Sequence, residues 1–256
     1  MPSEQGIVIE GLSKSYGGFP ALQAIRLELA RGEVFGVLGR NGAGKTTLLR
    51  ILMGLLMPSS GSAHILGLDC FADRVRLKRL IGYLPDTPFF YDHLTGRELI
   101  RFMAEVHDLG ARESAERSQR LLEELQLADA ADDFVTNYSL GMKKKLALIL
   151  ALLHEPPVLI LDEPTTGLDP LASRQIRGLI RSYADRGRSV LLSTHWLEMA
   201  ESVCDRVGII HQGRLAALGT PRELRAQFEA TRGAGAKLED VFFELTAPSS
   251  TPPNPS

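Results

Sequence analysis

The chain has 256 residues, 44% of them hydrophobic, a composition typical of a globular protein with a sizeable core and not of a disordered chain. Its formal net charge of -2 predicts no nucleic-acid surface, and its two cysteines, Cys70 and Cys204, form no pair typical of a zinc site or disulfide framework. We expect no secretory signal at the N-terminus and no membrane span, because the longest apolar run, residues 146–153, is too short to cross a bilayer.

Short strands are predicted in the first part of the chain. Residues 7–10 form one candidate, and residues 24–29 alternate apolar and polar side chains as a half-buried strand does. Residues 33–38 are more uniformly apolar, which indicates a strand covered on both faces. A helix is predicted at 45–56, ended by Pro58 and the turn after it.

The middle of the chain is predicted to be a helical insertion into an α/β body. Thr95 and Glu98 have the spacing of a capping box, in which each residue satisfies a free backbone N–H of the other at the start of a helix. Segments rich in Leu, Ala, Glu and Arg follow. The helices predicted here cover residues 99–109, 112–127 and 139–154.

Strands and helices alternate again in the last part of the chain. The predicted strands are 158–162 and 189–193, and the predicted helices are 170–185, 196–204 and 237–245. Such alternation predicts a mostly parallel sheet with right-handed crossovers, and therefore an α/β fold. The Pro- and Ser-rich tail at 247–256 is expected to be disordered.

A phosphate-binding pattern joins the strand at 33–38 to the helix after it. Residues 39–46 match G-x-x-x-x-G-K-[ST] between a strand and a helix, the context that makes this pattern specific; an ordinary glycine-rich turn is the alternative. Backbone N–H groups and the helix N-terminus would face phosphate oxygens. We expect Lys45 to contact the β- and γ-phosphates of ATP and the Thr46 hydroxyl to bind Mg²⁺. The predicted nucleotide-binding residues of this loop are Gly39, Arg40, Asn41, Gly42, Ala43, Gly44, Lys45, Thr46 and Thr47.

Two acidic residues end the apolar strand at 158–162. Asp162 is expected to hold Mg²⁺, and Glu163 to orient a water beside the γ-phosphate and accept its proton. The alternative is an exposed acidic turn closed by Pro164. His195 follows the next strand at a position that lines the ligand crevice of an open α/β sheet, where it would donate to the γ-phosphate; a structural histidine is the alternative.

Taken together, these residues resemble the ATP-binding subunits of ABC transporters. The segment Tyr138-Ser139-Leu140-Gly141-Met142 stands where that family has its LSGGQ signature, with Leu140 and Met142 as departures similar to those of bacterial exporter-type subunits. Gly167-Leu168-Asp169 resembles the family's D-loop, and Tyr16 stands where an aromatic ring stacks on adenine. Residues 238–246 are similar to the C-terminal end of such subunits.

The resemblance implies a fold and a mechanism. The fold would be a P-loop NTPase core with an N-terminal antiparallel β subdomain and an inserted helical subdomain at about 87–156, all within one domain at 1–246. Two copies, or one copy and a homologous subunit, would enclose ATP and Mg²⁺, with Ser139 and Gly141 of one chain contacting the γ-phosphate held by the other. Integral membrane permease subunits would be the partners, at the cytoplasmic face of a bacterial membrane, and the direction would be export.

Asp86 departs from the family pattern. It follows residues 81–85 where the family usually has the glutamine of the Q-loop, whose side chain approaches Mg²⁺ and the attacking water. An aspartate there would either bind Mg²⁺ more strongly or fail to reach it. Two other functions therefore stay open: a soluble ABC-type ATPase without a transport role, and a regulator that binds ATP with little turnover.

Simpler interpretations also exist for the individual motifs. Ser139 could be only a helix N-cap before an exposed lysine-rich turn at 143–145, and Tyr16 only a packed surface aromatic. The aromatic residues within 86–93 are predicted to be either internal core or a docking surface.

Overall fold

The computed structural model describes residues 5–232 and 237–247. The tail predicted to be disordered at 247–256 lies outside the described residues except for Ala247. The strands of the described part are β1 Gln5–Tyr16, β2 Phe19–Ala30, β3 Val34–Leu38, β4 Ser60–Ile65, β5 Leu68–Asp69, β6 Ile81–Leu84, β7 Val158–Asp162, β8 Ser189–Thr194, β9 Arg206–His211 and β10 Arg214–Gly219. Its α-helices are α1 Lys45–Leu52, α2 Arg74–Leu77, α3 Gly96–Val106, α4 Ala111–Glu124, α5 Leu140–Leu152, α6 Pro170–Asp185, α7 Leu197–Val203, α8 Pro221–Arg232 and α9 Leu238–Leu245.

Two sheets organise the chain. The first has the strand order β2-β1-β4-β5 and is antiparallel throughout. The second has the order β10-β9-β3-β8-β7-β6, in which only the edge strand β10 is antiparallel to its neighbour. The predicted α/β fold, with a mostly parallel sheet and an antiparallel β region, is confirmed.

The parallel strands are apolar because both of their faces are covered, one by α1 and the antiparallel sheet and the other by helices that include α5 and α6. Every residue of β3, β7 and β8 is buried, as expected for central strands of a doubly covered sheet. Parallel pairing sets Leu38 opposite Thr194 and Asp162 opposite Ser193. The carboxyl ends of three strands therefore meet at one edge, where the phosphate loop and the acidic pair begin.

The helices α3 to α5 lie between β6 and β7 in the sequence. The predicted capping box is present, because the Thr95 hydroxyl accepts from the N–H of Glu98 and the Glu98 carboxylate accepts from the N–H of Thr95. Ser139 caps α5 by accepting a hydrogen bond from the N–H of Met142. Buried leucines of α4 and α5 join the same core as β7 and β8, so the helices are packed against the sheet.

Several predicted boundaries differ from the structure: the strands predicted at 7–10 and 24–29 are longer, and the helices predicted at 99–109 and 112–127 end earlier, at Val106 and Glu124. The largest error in a helix is at α1. The helix expected at 45–56 ends at Leu52, because Gly54 takes a left-handed conformation at a φ of 64°. The N–H groups of Gly54 and Leu55 donate to the carbonyls of Ile51 and Arg50, which is the hydrogen-bonding pattern of a Schellman motif. The apolar residues after Leu52 continue the helical pattern and so extended the predicted helix too far. A glycine two residues past a helix end is the usual sign of such a termination.

The interpretation of residues 86–93 as internal core is wrong for two of its aromatic side chains. Phe89 is 87% exposed and Tyr91 is 66% exposed, whereas Phe90 is half-buried against the core that includes α3 and α5. No helix within 5–232 or 237–247 is both long and apolar enough to cross a membrane.

Two histidine rings stack where α3 and α5 end. The ring centroids of His107 and His154 are 3.6 Å apart, and the two ring planes are nearly parallel, with 9° between them. Burial, followed by the neighbouring His107, lowers the pKa of His154 to about 4, and burial also lowers the pKa of His107. Both rings are therefore neutral at pH 7, which avoids repulsion between two stacked cations.

We expect the free energy of unfolding to decrease as the pH falls from 6.5 toward 4. In that range an unfolded His154 binds a proton and the folded one does not, so the unfolded state gains stability. The effect should be about 1–2 kcal/mol after allowance for the partial exposure of the ring. His154→Phe should flatten the pH dependence of urea unfolding, whereas His93→Phe at an exposed position should not. An unchanged pH dependence in His154→Phe would contradict this expectation.

Candidate nucleotide site

The phosphate loop lies between the end of β3 and the start of α1. Gly44 caps the helix at a φ of 115°, and a Cβ there would lie 2.6 Å from the carbonyl oxygen of Ala21. Glycine is required at this position for both reasons. The Nζ of Lys45 donates to the carbonyl of Gly39 at 2.7 Å, so the lysine folds back over its own loop.

Asp162 is held by hydroxyl groups from two sides. Thr46 Oγ1 lies 3.3 Å from Asp162 Oδ2, and Ser193 Oγ donates to the other carboxylate oxygen. Burial raises the pKa of Asp162, while both hydroxyl groups act in the opposite direction. A carboxylate beside a threonine hydroxyl is a set of hard oxygen ligands, and this set fits Mg²⁺.

Glu163 is surrounded by groups that stabilise a carboxylate. Its Oε1 is 3.3 Å from the Nζ of Lys45, and its Oε2 is 3.0 Å from Nδ1 of His195 and 3.2 Å from the hydroxyl of Thr166. The residue is buried and has a φ of 48°, an uncommon conformation for a residue with a side chain. The carboxylate is thus oriented by three neighbours.

Asp86 lies at the same cleft, beside a buried lysine. The Nζ of Lys144 is 3.7 Å from Asp86 Oδ1 and donates to the carbonyls of Glu163 and Thr166. The alternative reading of 143–145 as an exposed lysine-rich turn is wrong for Lys144, which points into the protein. Burial lowers the pKa of Lys144, and the nearby carboxylates of Asp86 and Glu163 oppose that change.

An open cleft of about 410 Å³ joins most of these groups. Its lining residues are Tyr16, Phe19, Ala21, Arg40, Asn41, Gly42, Gly44, Lys45, Thr46, Thr47, Asp86, Asp162 and Glu163. Gly39 and Ala43 are buried beneath it, and Gly39 receives the hydrogen bond from Lys45. Tyr16 stands at the rim, half exposed, with the Nζ of Lys14 5.3 Å from its ring centroid.

The signature-like residues lie elsewhere on the chain. Among the described residues that line the cleft, neither Ser139 nor Gly141 occurs. Ser139 is exposed at the start of α5, and a Cβ on Gly141 would lie 3.5 Å from a methyl group of Leu168 in the D-loop-like segment. The fold therefore brings the two candidate motifs together and leaves them outside the chain's own cleft.

Some residues at the site were not predicted from the sequence. Ser193 is a polar residue at the end of an apolar strand, and its position opposite Asp162 could have been found from the parallel register. Phe19 lines the cleft next to Tyr16. Lys144 gave no distinguishing signal, because it is the middle one of three successive lysines.

The fold and the site together define a P-loop NTPase. A family model for the ABC transporter family matches residues 22–166, which is more than half of the chain. The chain belongs to the ABC transporter family.

Named relatives agree with this assignment. The chain is 37% identical over 244 residues to the probable multidrug ABC transporter ATP-binding protein YbhF of Escherichia coli, covering 95% of this chain and 42% of that protein. It is 41% identical over 225 residues to the daunorubicin resistance ATP-binding protein DrrA3 of Streptomyces coeruleorubidus, covering 88% and 71%. This chain thus spans less than half the length of the first relative.

A solved structure shows the same architecture. It is described as an ATP-binding subunit of an ABC transporter, is 35% identical in sequence, and superimposes with a TM-score of 0.87. The match covers 94% of this chain and 99% of the other.

We expect Gly44→Ala to weaken ATP binding at least about tenfold. The added methyl group would meet the carbonyl of Ala21, so the loop must shift away from the geometry that presents its N–H groups. Binding of a fluorescent ATP analogue measures the effect. Gly178→Ala on α6 is a matched control, because a Cβ there meets nothing within 4 Å. Equal affinity in Gly44→Ala and the unaltered chain would show that the loop tolerates the shift.

Proposed function

We propose that this chain binds ATP with Mg²⁺, hydrolyses it, and so powers transport through separate membrane-spanning subunits. The observation that carries the proposal is the convergence of Lys45, Thr46, Asp162 and Glu163 on one cleft. The signature-like Ser139 and Gly141 stand outside that cleft, as a site completed by a second chain requires. The residues that bind and turn over ATP are proposed to be those predicted from the sequence.

The phosphate loop would bind the triphosphate. Its backbone N–H groups and the start of α1 supply partial positive charge, and Lys45 would move its ammonium from Glu163 toward the β- and γ-phosphates. Thr46 and Asp162 would hold Mg²⁺, which when bound neutralises charge on the phosphate oxygens. Tyr16, beside Phe19 at the rim, would stack on adenine.

Glu163 would act as the general base. Its carboxylate lines the cleft at the end of β7, where it would accept a proton from a water held beside the γ-phosphate. His195 would contact the γ-phosphate and, at 3.0 Å, keep the carboxylate of Glu163 in place. Asp86 lines the same cleft beside Lys144, so its carboxylate would either reach the water or Mg²⁺ directly or act on Glu163 through that lysine.

A second chain would complete the site. Ser139 and Gly141 at the exposed start of α5 would contact the γ-phosphate bound by a partner copy or a homologous subunit, and the partner's equivalent residues would do the same in return. ATP bound between two surfaces favours their association, and its hydrolysis removes that stabilisation.

Membrane subunits would be the other partners. Residues 1–246 would act as one ATP-binding domain at the cytoplasmic face of a bacterial membrane, with the helical segment at about 87–156 passing its movement to the permease. The exposed rings of Phe89 and Tyr91 support a contact there. The names of relatives that handle multidrug transport and daunorubicin resistance support export as the direction.

Glu163→Gln should abolish turnover while leaving ATP binding intact. The amide keeps the shape of the side chain but no longer accepts a proton at neutral pH, so kcat should fall at least about 100-fold. Phosphate release measures turnover, and light scattering with MgATP should reveal an accumulated dimer. Asp185→Asn at the exposed end of α6 is the control. Unchanged phosphate release from Glu163→Gln would refute the assigned base, and no release from the unaltered chain would favour a regulator.

Ser139→Arg should block ATP-dependent dimerisation and spare nucleotide binding by the monomer. A long cation would occupy the space of the partner's γ-phosphate contact, while the cleft of the same chain contains no part of Ser139. The assay is size-exclusion chromatography of each variant in the Glu163→Gln background with MgATP. Ala115→Arg, which adds the same charge on an exposed position of α4, should still dimerise. Persistence of the dimer in Ser139→Arg would rule out the proposed contact.

A further inference from the structure

Lys144 is buried beneath the turn that carries Glu163. The side chain is 1% exposed, whereas its neighbours Lys143 and Lys145 are half-buried. Its Nζ donates to the carbonyl oxygen of Glu163 at 2.8 Å and to that of Thr166 at 2.7 Å. Lys144 does not line the nucleotide cleft in the described structure, so its contacts are with the protein and not with the phosphates.

Asp86 supplies the counter-charge of this ammonium. An ammonium group has three donors, and the carbonyls of Glu163 and Thr166 take two of them. The carboxylate of Asp86 lies 3.7 Å from the ammonium, too far for a hydrogen bond, and forms an ion pair with it. A buried cation needs such a partner, since burial without a counter-charge is strongly unfavourable.

The backbone at Glu163 needs external support. Its φ of 48° is strained for a residue with a side chain, and such a conformation persists only where surrounding contacts impose it. Its N–H is fixed by Ser193, at 3.1 Å to the carbonyl and 3.2 Å to the hydroxyl. Its carbonyl is fixed by Lys144. Lys144 therefore holds the peptide group that follows Glu163 and the turn that ends at Thr166.

The same lysine lies on the helix that begins with the signature-like residues. Ser139 caps α5, and Lys144 follows within the first one and a half turns of that helix. A rotation of α5 relative to the sheet would therefore move the ammonium group against the Glu163 carbonyl. Asp86, in the segment after β6, would be displaced from the ammonium by the same rotation.

We propose that Lys144 is a positioning residue for Glu163 and that Asp86 is its charge partner. Through the hydrogen bond and the ion pair of Lys144, the turn carrying Glu163 is connected to α5 and to the segment after β6. Asp86, which stands where the family usually has glutamine, thereby has a role within the chain that a neutral glutamine would not fill. The inference rests on the proposed function, because Glu163 needs a fixed position only if it acts on ATP.

Lys144→Met is the direct test, because methionine keeps most of the volume and removes all three donors. We expect kcat for ATP to fall about tenfold or more while KM for ATP and the affinity for an ATP analogue stay within about twofold. Lys143→Met, one residue earlier on the same helix, is the matched control and should keep its kcat. Lys144→Gln, which retains an amide donor, should lie between Lys144→Met and the unaltered chain.

Hydrogen–deuterium exchange of the nucleotide-free protein gives a second readout. The amides of Thr166 and Leu168 donate within the turn, to Glu163 and Thr165. They should exchange at least about fivefold faster in Lys144→Met and also in Asp86→Asn. The side chain of Asp86 is 53% exposed, so its replacement leaves the core intact. Lys143→Met should leave these rates unchanged. Unchanged exchange in Asp86→Asn would overturn the proposal even if the Lys144 variants fail to fold.

A double-mutant cycle separates the charge pair from a direct magnesium role of Asp86. If the carboxylate acts through Lys144, Asp86→Asn should lower kcat in the unaltered chain and have little further effect in Lys144→Gln. If it acts as a Mg²⁺ ligand, its replacement should raise the Mg²⁺ concentration for half-maximal activity equally in both backgrounds, which would overturn the pairing.

The two proposals can fail separately. Absence of ATP turnover in the unaltered chain would refute the proposed function, and the exchange measurements would still decide whether Lys144 holds the turn. Normal turnover of the unaltered chain together with a kcat within twofold of it in Lys144→Met would refute the role of Lys144 alone.

Discussion

The parallel pairing of β3, β8 and β7 is the constraint on which the site depends. It fixes the ends of three strands at one edge, so that the phosphate loop, Asp162 and His195 leave the sheet side by side. The register also sets Asp162 opposite Ser193, whose hydroxyl then bonds the carboxylate. Because every residue of these strands is buried, a slip in register would expose apolar side chains at one end and separate Asp162 from Ser193, and both changes are unfavourable.

Several charged side chains are buried at this edge of the sheet, and the fold stabilises them by placing a partner beside each one. Lys45, Lys144, Asp162 and Glu163 are all buried, and each has an oppositely charged or hydrogen-bonding neighbour within 4 Å. Burying any one of them without its partner would cost several kcal/mol. The cluster is therefore a set of mutually dependent groups, and a substitution at one of them changes the environment of the rest. The strained backbone of Glu163 belongs to the same set, since a strain of about 1–3 kcal/mol is sustained by these contacts.

The separation of the two motif groups has a physical consequence. The phosphate loop and the acidic strand end form one side of a cleft, whereas Ser139 and Gly141 lie on another surface at the start of α5. Chemistry that needs both groups must then depend on association, and association can in turn be controlled by the nucleotide. Helix α5 runs from this surface to Lys144 beneath Glu163, which gives the two regions a direct mechanical connection within one chain.

The sequence by itself determined the α/β class, the phosphate loop and the acidic strand end, because apolar periodicity and glycine spacing are local properties. It also predicted the capping box at Thr95 and offered the cap at Ser139 as the alternative to a signature motif, and both caps depend on residues only three apart. The end of α1 at Leu52 was missed although Gly54 signalled it. Only the tertiary structure decided that Lys144 turns inward while its neighbours stay half-buried, and that Asp86 lies beside it. Those facts depend on packing between segments that are 58 and 19 residues apart along the chain, as the pairs Lys144–Asp86 and Lys144–Glu163 show, and no local pattern encodes such distances.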